Sequence, residues 1–173
     1  EIIMSEKMDG ENSNLMRNCI YARSLDGIDH ISRHWVKGLW GNIKHEIPED
    51  WRICGENLYA THSVHYTNLE TYFNVFSIWN ENNVCLSWNE TEDWCNLLGL
   101  KTVPVLWRGI FDENFLRNYK INTKIKEGYV IRLADSFKFE DFKMSVAKWV
   151  RSNHVITDEH WMNNPVIPNE LKK

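Results

Sequence analysis

Short runs of apolar and aromatic residues recur along most of the chain, and several of them alternate with polar residues. Runs of this kind, bounded by Gly, Pro, Asn and Asp, are typical of β-strands. The pattern predicts strands over residues 1–5, 13–23, 51–60, 72–80, 102–109, 127–135 and 146–155. The Asp9–Gly10 pair is a strong turn signal, so a tight turn is expected between the first two strands.

A helical pattern follows the second predicted strand. Over residues 30–45 an apolar side chain recurs at every fourth position, at Ile31, Trp35, Leu39 and Ile43. This spacing places the apolar side chains on one face of an amphipathic helix. Pro48 marks the end of the helix because proline cannot continue the hydrogen-bonding pattern.

Residues 84–100 combine a short strand with a second helix. The helix is expected to begin near Ser87 or Asn89, since both residue types cap helices and two glutamates follow in the first turn. Gly99 is expected to end it. The polar and basic residues 112–126 are predicted to form a loop or a short helix.

Many strands with few helices between them indicate the α+β class, built on antiparallel sheets with a few packed helices. Two such sheets facing each other would leave a cleft lined by strand ends and turns. The chain shows no internal repeat, and we predict a single domain over residues 1–162. The proline-containing residues 163–173 are predicted to form a C-terminal tail.

Composition narrows the class only slightly. The 173 residues include nine Trp, six Tyr and seven Phe, a load that suits a well-packed β-rich core and also allows stacking on nucleobases. The net charge of −4 argues against a general nucleic-acid coat. Residues 117–151 nevertheless hold nine Lys or Arg against four Asp or Glu, which would give a local basic surface.

The cysteine pattern argues against a zinc site, and the lack of long apolar segments argues against a membrane span. The four cysteines form no CxxC pair, so a zinc site built on cysteines is not expected. The chain has no stretch of about 18 apolar residues and no signal peptide, so no membrane association is expected. We therefore expect a cytoplasmic protein with reduced thiols. No protein partner is evident from the sequence.

Candidate chemistry begins at the segment EKMDGEN. Lys7 precedes Asp9–Gly10 at a strand-to-turn junction, where it would lie near the sheet, and a desolvated lysine loses its proton more readily and becomes a nucleophile. Three further segments carry Glu56, Glu127 and Lys148 in that order. Carboxylates hold divalent metals, and a second lysine stabilises charge on a transferred phosphate. Lysine, carboxylates and aromatic strands together suit nucleotidyl transfer to a lysine.

The ordered segments resemble the motifs of the covalent nucleotidyltransferases, which include DNA ligases, RNA ligases and capping enzymes. The finer resemblance is to ATP-dependent RNA ligases related to the phage RNA ligases. It runs from about residue 2 to residue 162 and is carried by EKMDGEN, WRICGENLYATHSVHY, CLSWNETEDW, TVPVLWRG, EGYVIRLAD and AKWVRSNHV. The choice of RNA over DNA comes from this resemblance alone.

The resemblance implies a role for each matching residue. Lys7 corresponds to the lysine that becomes linked to AMP, and Lys148 to a lysine that contacts the α-phosphate. The expected nucleotide-binding residues are Lys7, Asp9, Gly10, Arg23, Glu56, Phe76, Glu127, Lys148 and Arg151. Among them Arg23 would contact phosphate, Phe76 would stack on adenine, and Glu56 and Glu127 would hold the metal. Glu11 continues the first motif, and Arg33 and Lys37 are weaker candidates for RNA phosphate contacts.

Two positions depart from the family pattern. Ser77 follows the stacking aromatic residue where the family usually has Asp, and a hydroxyl accepts a hydrogen bond but carries no charge. Val150 stands where the last motif often has a second lysine. Arg151 would supply that charge, although in an ideal strand its side chain points to the opposite face from Val150.

The resemblance implies an enzyme that uses ATP with Mg²⁺, or Mn²⁺ in its place. It would form lysyl-AMP, pass AMP to a 5′-phosphate of RNA and seal that end with a 3′-hydroxyl, as in RNA repair. Three alternatives remain open: a DNA ligase or GTP-using capping enzyme, a catalytically impaired nucleotide- or RNA-binding module, and a piece of a longer ligase. Comparing covalent labelling of the protein by ATP and by GTP distinguishes a GTP-using capping enzyme from an ATP-dependent ligase. A catalytically impaired module would show no covalent labelling.

Overall fold

The computed structural model describes residues 1–22, 30–152 and 165–173. Within these ranges the chain forms eleven strands and four α-helices. The strands are β1 (Ile2–Lys7), β2 (Glu11–Leu15), β3 (Ile20–Ala22), β4 (Arg52–Asn57), β5 (Phe73–Trp79), β6 (Val84–Cys85), β7 (Lys101–Thr102), β8 (Val105–Gly109), β9 (Gly128–Leu133), β10 (Phe137–Lys138) and β11 (Val146–Val150). The helices are α1 (His34–Ile43), α2 (Trp88–Leu98), α3 (Glu113–Asn118) and α4 (Phe142–Ser145).

The strands form two sheets. Sheet I is antiparallel, in the order β11–β9–β1–β8. Sheet II has the order β10–β6–β5–β4–β2–β3, with β7 pairing in parallel to β5. The predicted α+β class is confirmed.

Three apolar layers hold the sheets and helices together. Between the two sheets lies a cluster of Ile3, Met8, Leu58, Leu69, Trp88, Val103 and Ala134. The outer face of sheet II packs against α1 and α2 through residues that include Leu15, Ile53, Phe73, Val75, Val36, Ile43, Cys95 and Leu98. The outer face of sheet I carries Ile2, Met4 and Tyr129, covered by Leu116 of α3. Each strand therefore presents alternate residues to two different layers.

Helix α2 begins and ends where local chemistry predicts. The Ser87 side chain caps the backbone of Glu90, and the Glu90 carboxylate accepts from the Ser87 N–H at 2.9 Å, which makes a capping box. Gly99 ends the helix in the left-handed conformation, with φ 66°. Of the two predicted starting points, Ser87 is the one observed.

Several predicted strands are shorter or divided. The predicted strand 13–23 covers the end of β2 and the whole of β3, because the Met16 N–H donates to the Cys19 carbonyl at 2.9 Å and the chain turns between the two strands. Residues 102–109 are divided at Pro104, which lacks an N–H, so β7 joins sheet II and β8 joins sheet I. The last predicted strand, 146–155, ends at Val150 within the described residues.

Residues 165–173, the described part of the predicted tail, contact the segment between β4 and β5. Ala60 forms an antiparallel bridge with Pro168, and Leu69 forms a parallel bridge with Leu171. The boundary at residue 162 stays a prediction. In residues 1–22, 30–152 and 165–173, no helix is both long and apolar enough to cross a membrane.

Candidate active site around Lys7

Lys7 is the last residue of β1 and lies directly opposite Gly128, the first residue of β9. Glu127 immediately precedes that glycine, and its Oε2 lies 2.5 Å from the Lys7 Nζ. The lysine side chain is 25% exposed and the glutamate 7%, so the pair is largely withdrawn from water while Lys7 stays accessible. The β1–β9 pairing thus brings together two residues 120 positions apart.

A second ion pair fastens the same two segments on the other face of sheet I. Glu6 and Lys126 each precede a member of the first pair and bond to each other. Neighbouring residues of a strand point to opposite faces. The Lys7–Glu127 pair and the Glu6–Lys126 pair therefore link β1 to the segment at the start of β9 on opposite faces of the sheet. Burial lowers the pKa of Lys126. Lys7 is therefore held at a strand end fixed from both faces.

The turn after Lys7 is held by Glu56 of β4. Its Oε1 accepts a hydrogen bond from the Gly10 N–H at 3.1 Å. At Gly10 an added Cβ would lie 2.4 Å from the Asn57 carbonyl oxygen, so only glycine allows the turn to approach β4 this closely. Glu56, predicted as a nucleotide and metal contact, thus also supports the turn after Lys7.

Asp9 anchors this turn to the segment that follows β4. Its Oδ2 accepts bonds from the Ser63 N–H at 2.8 Å, the Ser63 hydroxyl at 2.7 Å and the Val64 N–H at 2.7 Å. The Asp9 N–H donates to the Tyr66 hydroxyl at 3.0 Å. Burial raises the pKa of Tyr66. Charge-assisted bonds to one carboxylate oxygen are strong, so Asp9 is an organising residue of the site.

Asn169 in turn holds the segment that contacts Asp9. It is 1% exposed, its Oδ1 accepts from the Tyr66 N–H at 2.8 Å, and its Nδ2 donates to the Leu58 carbonyl at 2.8 Å. Its backbone N–H bonds to the Tyr59 carbonyl at 2.9 Å. Asn169 therefore supports the turn after Lys7 indirectly.

Glu11 continues the motif into β2 and is buried. Its carboxylate accepts bonds from both the Nε and the Nη2 of Arg33, the shortest at 2.9 Å from Nε and 2.5 Å from Nη2. Arg33 is only 7% exposed. The expectation that Arg33 reaches RNA phosphates is therefore wrong, because its guanidinium is engaged in a bidentate pair inside the domain.

The carboxylate of Glu56 titrates unusually. Its pKa rises from 4.5 to about 7, mainly because burial disfavours the charged form, while Lys7 and the Gly10 N–H act in the opposite direction. The neighbouring carboxylates of Glu127 and Asp9 raise it further. At neutral pH Glu56 is therefore divided between its two protonation states, and a bound cation would favour the charged one.

This shift predicts a pH-dependent effect of Glu56→Gln. The folded state holds the Glu56 proton more tightly than the unfolded chain, so its contribution to stability is lost as pH rises from about 4.5 to about 7. Glutamine keeps an acceptor for the Gly10 N–H without the charge. At pH 8 the variant should be more stable than the parent by up to about 3 kcal/mol, and by much less at pH 5. Urea unfolding in EDTA measures this.

Exposed Glu49→Gln is the matched control and should follow the parent at both pH values. An equal stability difference for Glu56→Gln at pH 5 and pH 8 would contradict a raised pKa of Glu56.

Phe76 and Ser77 lie in β5 beside a bulge. Cys54 pairs with Ser77 and Gly55 with Val75, so Phe76 is the extra residue. Phe76 is half-buried against the apolar cluster between the sheets. The Ser77 hydroxyl accepts a hydrogen bond from the Trp79 indole at 3.0 Å. Stacking of Phe76 on adenine stays a prediction, and the hydroxyl at position 77 has a partner within its own strand.

Lys148 lies in β11 and is exposed. It pairs with Val130, which pairs with Ser5 of β1. Residues directly opposite in a sheet share a face, so Lys148 is on the same face of sheet I as Lys7. The role predicted for Lys148 at the α-phosphate is compatible with this register and stays a prediction.

Arg151 follows Val150, the last residue of β11. The alternation of side chains between the two faces of a strand therefore does not decide where the Arg151 side chain points. Its Nη2 donates to the Ser63 hydroxyl at 3.2 Å, and its Nη1 to the Thr123 carbonyl at 3.0 Å. Its backbone N–H bonds to the Glu127 carbonyl at 3.0 Å. Arg151 thus joins the two segments that hold Asp9 and Lys7. Arg23 lies outside the described residues.

Sequence reasoning missed Ser63, Tyr66 and Asn169 as parts of the site. These residue types carry no signal in isolation. Burial lowers the pKa of His62, opposed by the nearby carboxylates of Asp9, Glu11 and Glu127. Ser63 and Tyr66 lie in the segment THSVHY, between the predicted strands 51–60 and 72–80.

The site around Lys7 contains two carboxylates, Glu56 and Glu127, that could bind a metal ion. Mg²⁺ is commonly held by one or two carboxylates, waters and the phosphates of its substrate. Glu56 and Glu127 flank Lys7 and influence each other's charge, so they fit that mode of binding. Among the described residues no group of three His, Cys, Asp or Glu side chains could hold a metal alone.

The fold is similar to those of two solved ATP-dependent ligase structures. It matches a candidate ATP-dependent DNA ligase from Aquifex aeolicus with TM-score 0.55 and 20% identity over 87% of this chain and 44% of that one. It matches an archaeal ATP-dependent RNA ligase with TM-score 0.55 and 16% identity over 87% of this chain and 42% of that one. The chain spans less than half the length of these structures.

The sequence then gives the family. The RNA ligase family matches residues 1–150, and the chain belongs to that family. The resemblance stated from the motifs is thereby confirmed. No curated protein sequence matches the chain.

Proposed function

We propose that the chain is the nucleotidyltransferase core of an ATP-dependent RNA ligase that becomes linked to AMP through Lys7. The observation that carries this proposal is the position of Lys7. It ends a strand, is a quarter exposed, and lies within 2.5 Å of the Glu127 carboxylate. The Asp9–Gly10 turn that follows is tied to Glu56 and Ser63.

The first step forms one bond and breaks one. The Lys7 Nζ lone pair attacks the α-phosphorus of ATP, and the bond from that phosphorus to the α–β bridging oxygen breaks, which releases pyrophosphate. Lys7 becomes neutral before this attack by passing its ammonium proton to the Glu127 carboxylate, the base that lies 2.5 Å away. The second proton, lost from nitrogen as the N–P bond forms, leaves to solvent with the pyrophosphate. Bound Mg²⁺ or Mn²⁺, held by Glu56 and Glu127, would neutralise phosphate charge.

The second and third steps consume the adduct. An oxygen of an RNA 5′-phosphate attacks the AMP phosphorus, and the N–P bond to Lys7 breaks. The RNA 3′-hydroxyl then attacks the activated 5′-phosphate, forms the phosphodiester and expels AMP. Lys7 regains a proton, so the enzyme returns to its starting state.

The proposal is tested by mass spectrometry of the intact protein after incubation with Mg²⁺ and either ATP or GTP. A gain of one AMP with ATP, and none with GTP, supports an adenylyl-transferring ligase. Matched nicked duplexes, with either RNA or DNA at the nick, then test the choice of strand. A GMP adduct would indicate a capping-type enzyme, and sealing of DNA alone would indicate a DNA ligase.

A catalytically impaired binding module is the second candidate. It is favoured by Ser77, which bonds to the Trp79 indole and offers no charge where the family usually has Asp. This candidate predicts that ATP binds with no covalent adduct. Equilibrium dialysis with ATP beside the mass measurement separates the two candidates.

Replacement of Lys148 by alanine tests its proposed contact with the α-phosphate. The residue is exposed, so the variant should fold like the parent. The loss of a positive charge at the transferred phosphate should slow formation of the AMP adduct about a hundredfold, with partial recovery in Lys148→Arg. Quenched time courses measure the rate. Exposed Lys143→Ala is the control, and an unchanged rate in Lys148→Ala would exclude this role.

A further inference from the structure

The outer face of sheet I carries an exposed aromatic platform. Trp149 of β11 is 41% exposed, and its indole lies parallel to the buried Tyr129 ring, with centroids 5.4 Å apart and planes 13° from parallel. Tyr119 also packs edge-on against Tyr129. The indole is thus held rigidly while much of it faces solvent. A rigid exposed indole can stack on a further flat ring with little loss of conformational freedom.

Two concavities meet at this platform. The larger, about 410 Å³, is lined by Glu113, Leu116, Arg117, Tyr119, Tyr129 and Trp149. The smaller, about 240 Å³, is lined by Thr123, Trp149, Arg151 and Ser152. Trp149 lines both, so the two concavities are neighbours on either side of its residue, and together they are called the groove here. The larger one falls in the size range of small-molecule pockets, so it has room for a nucleobase.

The chain segment beside the groove is basic. Residues 114–126 contain four Lys or Arg and no Asp or Glu. Lys120 and Lys124 are exposed. Arg117 bonds to Glu113 on the rim of the larger concavity. Lys120 and Lys124 directly follow Tyr119 and Thr123, which line the two concavities. An aromatic platform flanked by lysines is a combination by which proteins bind single-stranded nucleic acids, because bases stack on the ring and phosphates meet the charges.

The groove lies close to the candidate active site, across the edge strand of sheet I. Trp149 is adjacent to Val150, which pairs with Gly128, which in turn pairs with Lys7. Two strand spacings amount to about 10 Å. Arg151 lines the smaller concavity and donates to the Ser63 hydroxyl, which also bonds to Asp9. A strand lying over Trp149 would therefore reach the nucleophile turn after a short passage around β11.

We propose that this groove binds the single-stranded RNA next to the end being activated, with one base stacked on Trp149 and the flanking phosphates near Lys120 and Lys124. Identification of the nucleic acid as RNA rests on the proposed function. The groove lies on the face of sheet I opposite Lys7, so it is separate from the nucleotide site.

The test is the affinity for a 5′-phosphorylated, 3′-fluorescein-labelled single-stranded RNA of 12 nucleotides, measured by fluorescence anisotropy without ATP. Stacking of one base corresponds to about 1–3 kcal/mol, so Trp149→Ala should raise the Kd roughly 5- to 150-fold. Trp149→Phe, which keeps a ring, should stay close to the parent. Phe111→Ala removes a 59% exposed aromatic ring and is the matched control.

The contribution of Lys120 and Lys124 is measured separately, from the salt dependence of RNA binding. Each lost phosphate contact should reduce the slope of log K against log salt by about 0.7 for a single strand, so Lys120→Glu combined with Lys124→Glu should flatten it. Both residues are exposed, so these variants should fold normally, and circular dichroism with thermal unfolding checks this for every variant.

Three results would overturn the proposal: no RNA binding by the parent, an unchanged Kd in folded Trp149→Ala, or an equal loss in Phe111→Ala. Tighter, Trp149-dependent binding of an acidic 12-residue peptide would also overturn it and assign the groove to a protein partner. Failure of the proposed function is distinguishable, because it is read from the missing AMP adduct of the parent and not from RNA affinity.

Discussion

Replacement of Lys7 by alanine should abolish formation of the AMP adduct. The proposed nucleophile is the Nζ that lies 2.5 Å from Glu127, and no neighbouring atom can replace it at the same position on β1. Removal of a reacting nucleophile leaves no covalent route, so the expected loss is complete within the detection limit of intact-protein mass spectrometry. Lys7→Arg should be equally inactive, because its guanidinium stays protonated.

Stability changes less than activity in this variant. Lys7→Ala leaves the buried Glu127 carboxylate without its cation, which should cost about 1–3 kcal/mol. Activity is therefore compared at a temperature where both proteins are folded. Lys101→Ala is the control, because that lysine is 61% exposed in a surface pair with Glu70. An AMP adduct in folded Lys7→Ala would move the nucleophile to another residue.

Asp9→Ala is expected to cause the second-largest effect, on both stability and adduct formation. The substitution leaves the Ser63 and Val64 N–H groups and the Ser63 hydroxyl without their shared acceptor. Each unsatisfied polar group costs about 1–3 kcal/mol when buried, and partial entry of water reduces the sum. The unfolding temperature should fall by several degrees.

Adduct formation in Asp9→Ala should slow by more than about a hundredfold. The turn that follows Lys7 would lose its attachment to the segment after β4, and small displacements of a nucleophile cost rates of this size. Asp9→Asn keeps an acceptor oxygen without charge and should lie between the parent and Asp9→Ala. Quenched time courses at a temperature where all variants are folded give the order.

Asp135→Ala is the matched control, since that carboxylate is exposed. A folded Asp9→Ala protein that forms the adduct at the parent's rate would show that the turn is positioned without Asp9, and the bonds to Ser63 and Val64 would then have only a structural role.

The sequence alone determined the class of the fold and the identity of the nucleophile candidate. Strand and helix periodicities depend on near neighbours, so the strands around Lys7 and the capped helix α2 were predicted from local chemistry. The ordered motifs predict one function for Lys7, Glu56 and Glu127, and the family that they resemble is the one whose model matches residues 1–150. Pro104 lies between β7 and β8, which belong to different sheets although one strand was predicted there. The alternation of apolar and polar residues does not reveal this change of sheet.

Only the tertiary structure decided which residues support the nucleophile. Asp9 bonds to residues 54 and 55 positions away, and Asn169 bonds to Tyr66 across 103 positions. Arg151 reaches Ser63 because β11 ends at Val150, which strand alternation does not predict. Hydrogen bonds between distant segments leave no periodic trace in the sequence. They depend on sheet register, which brings strand ends and loops together only after the whole domain has folded.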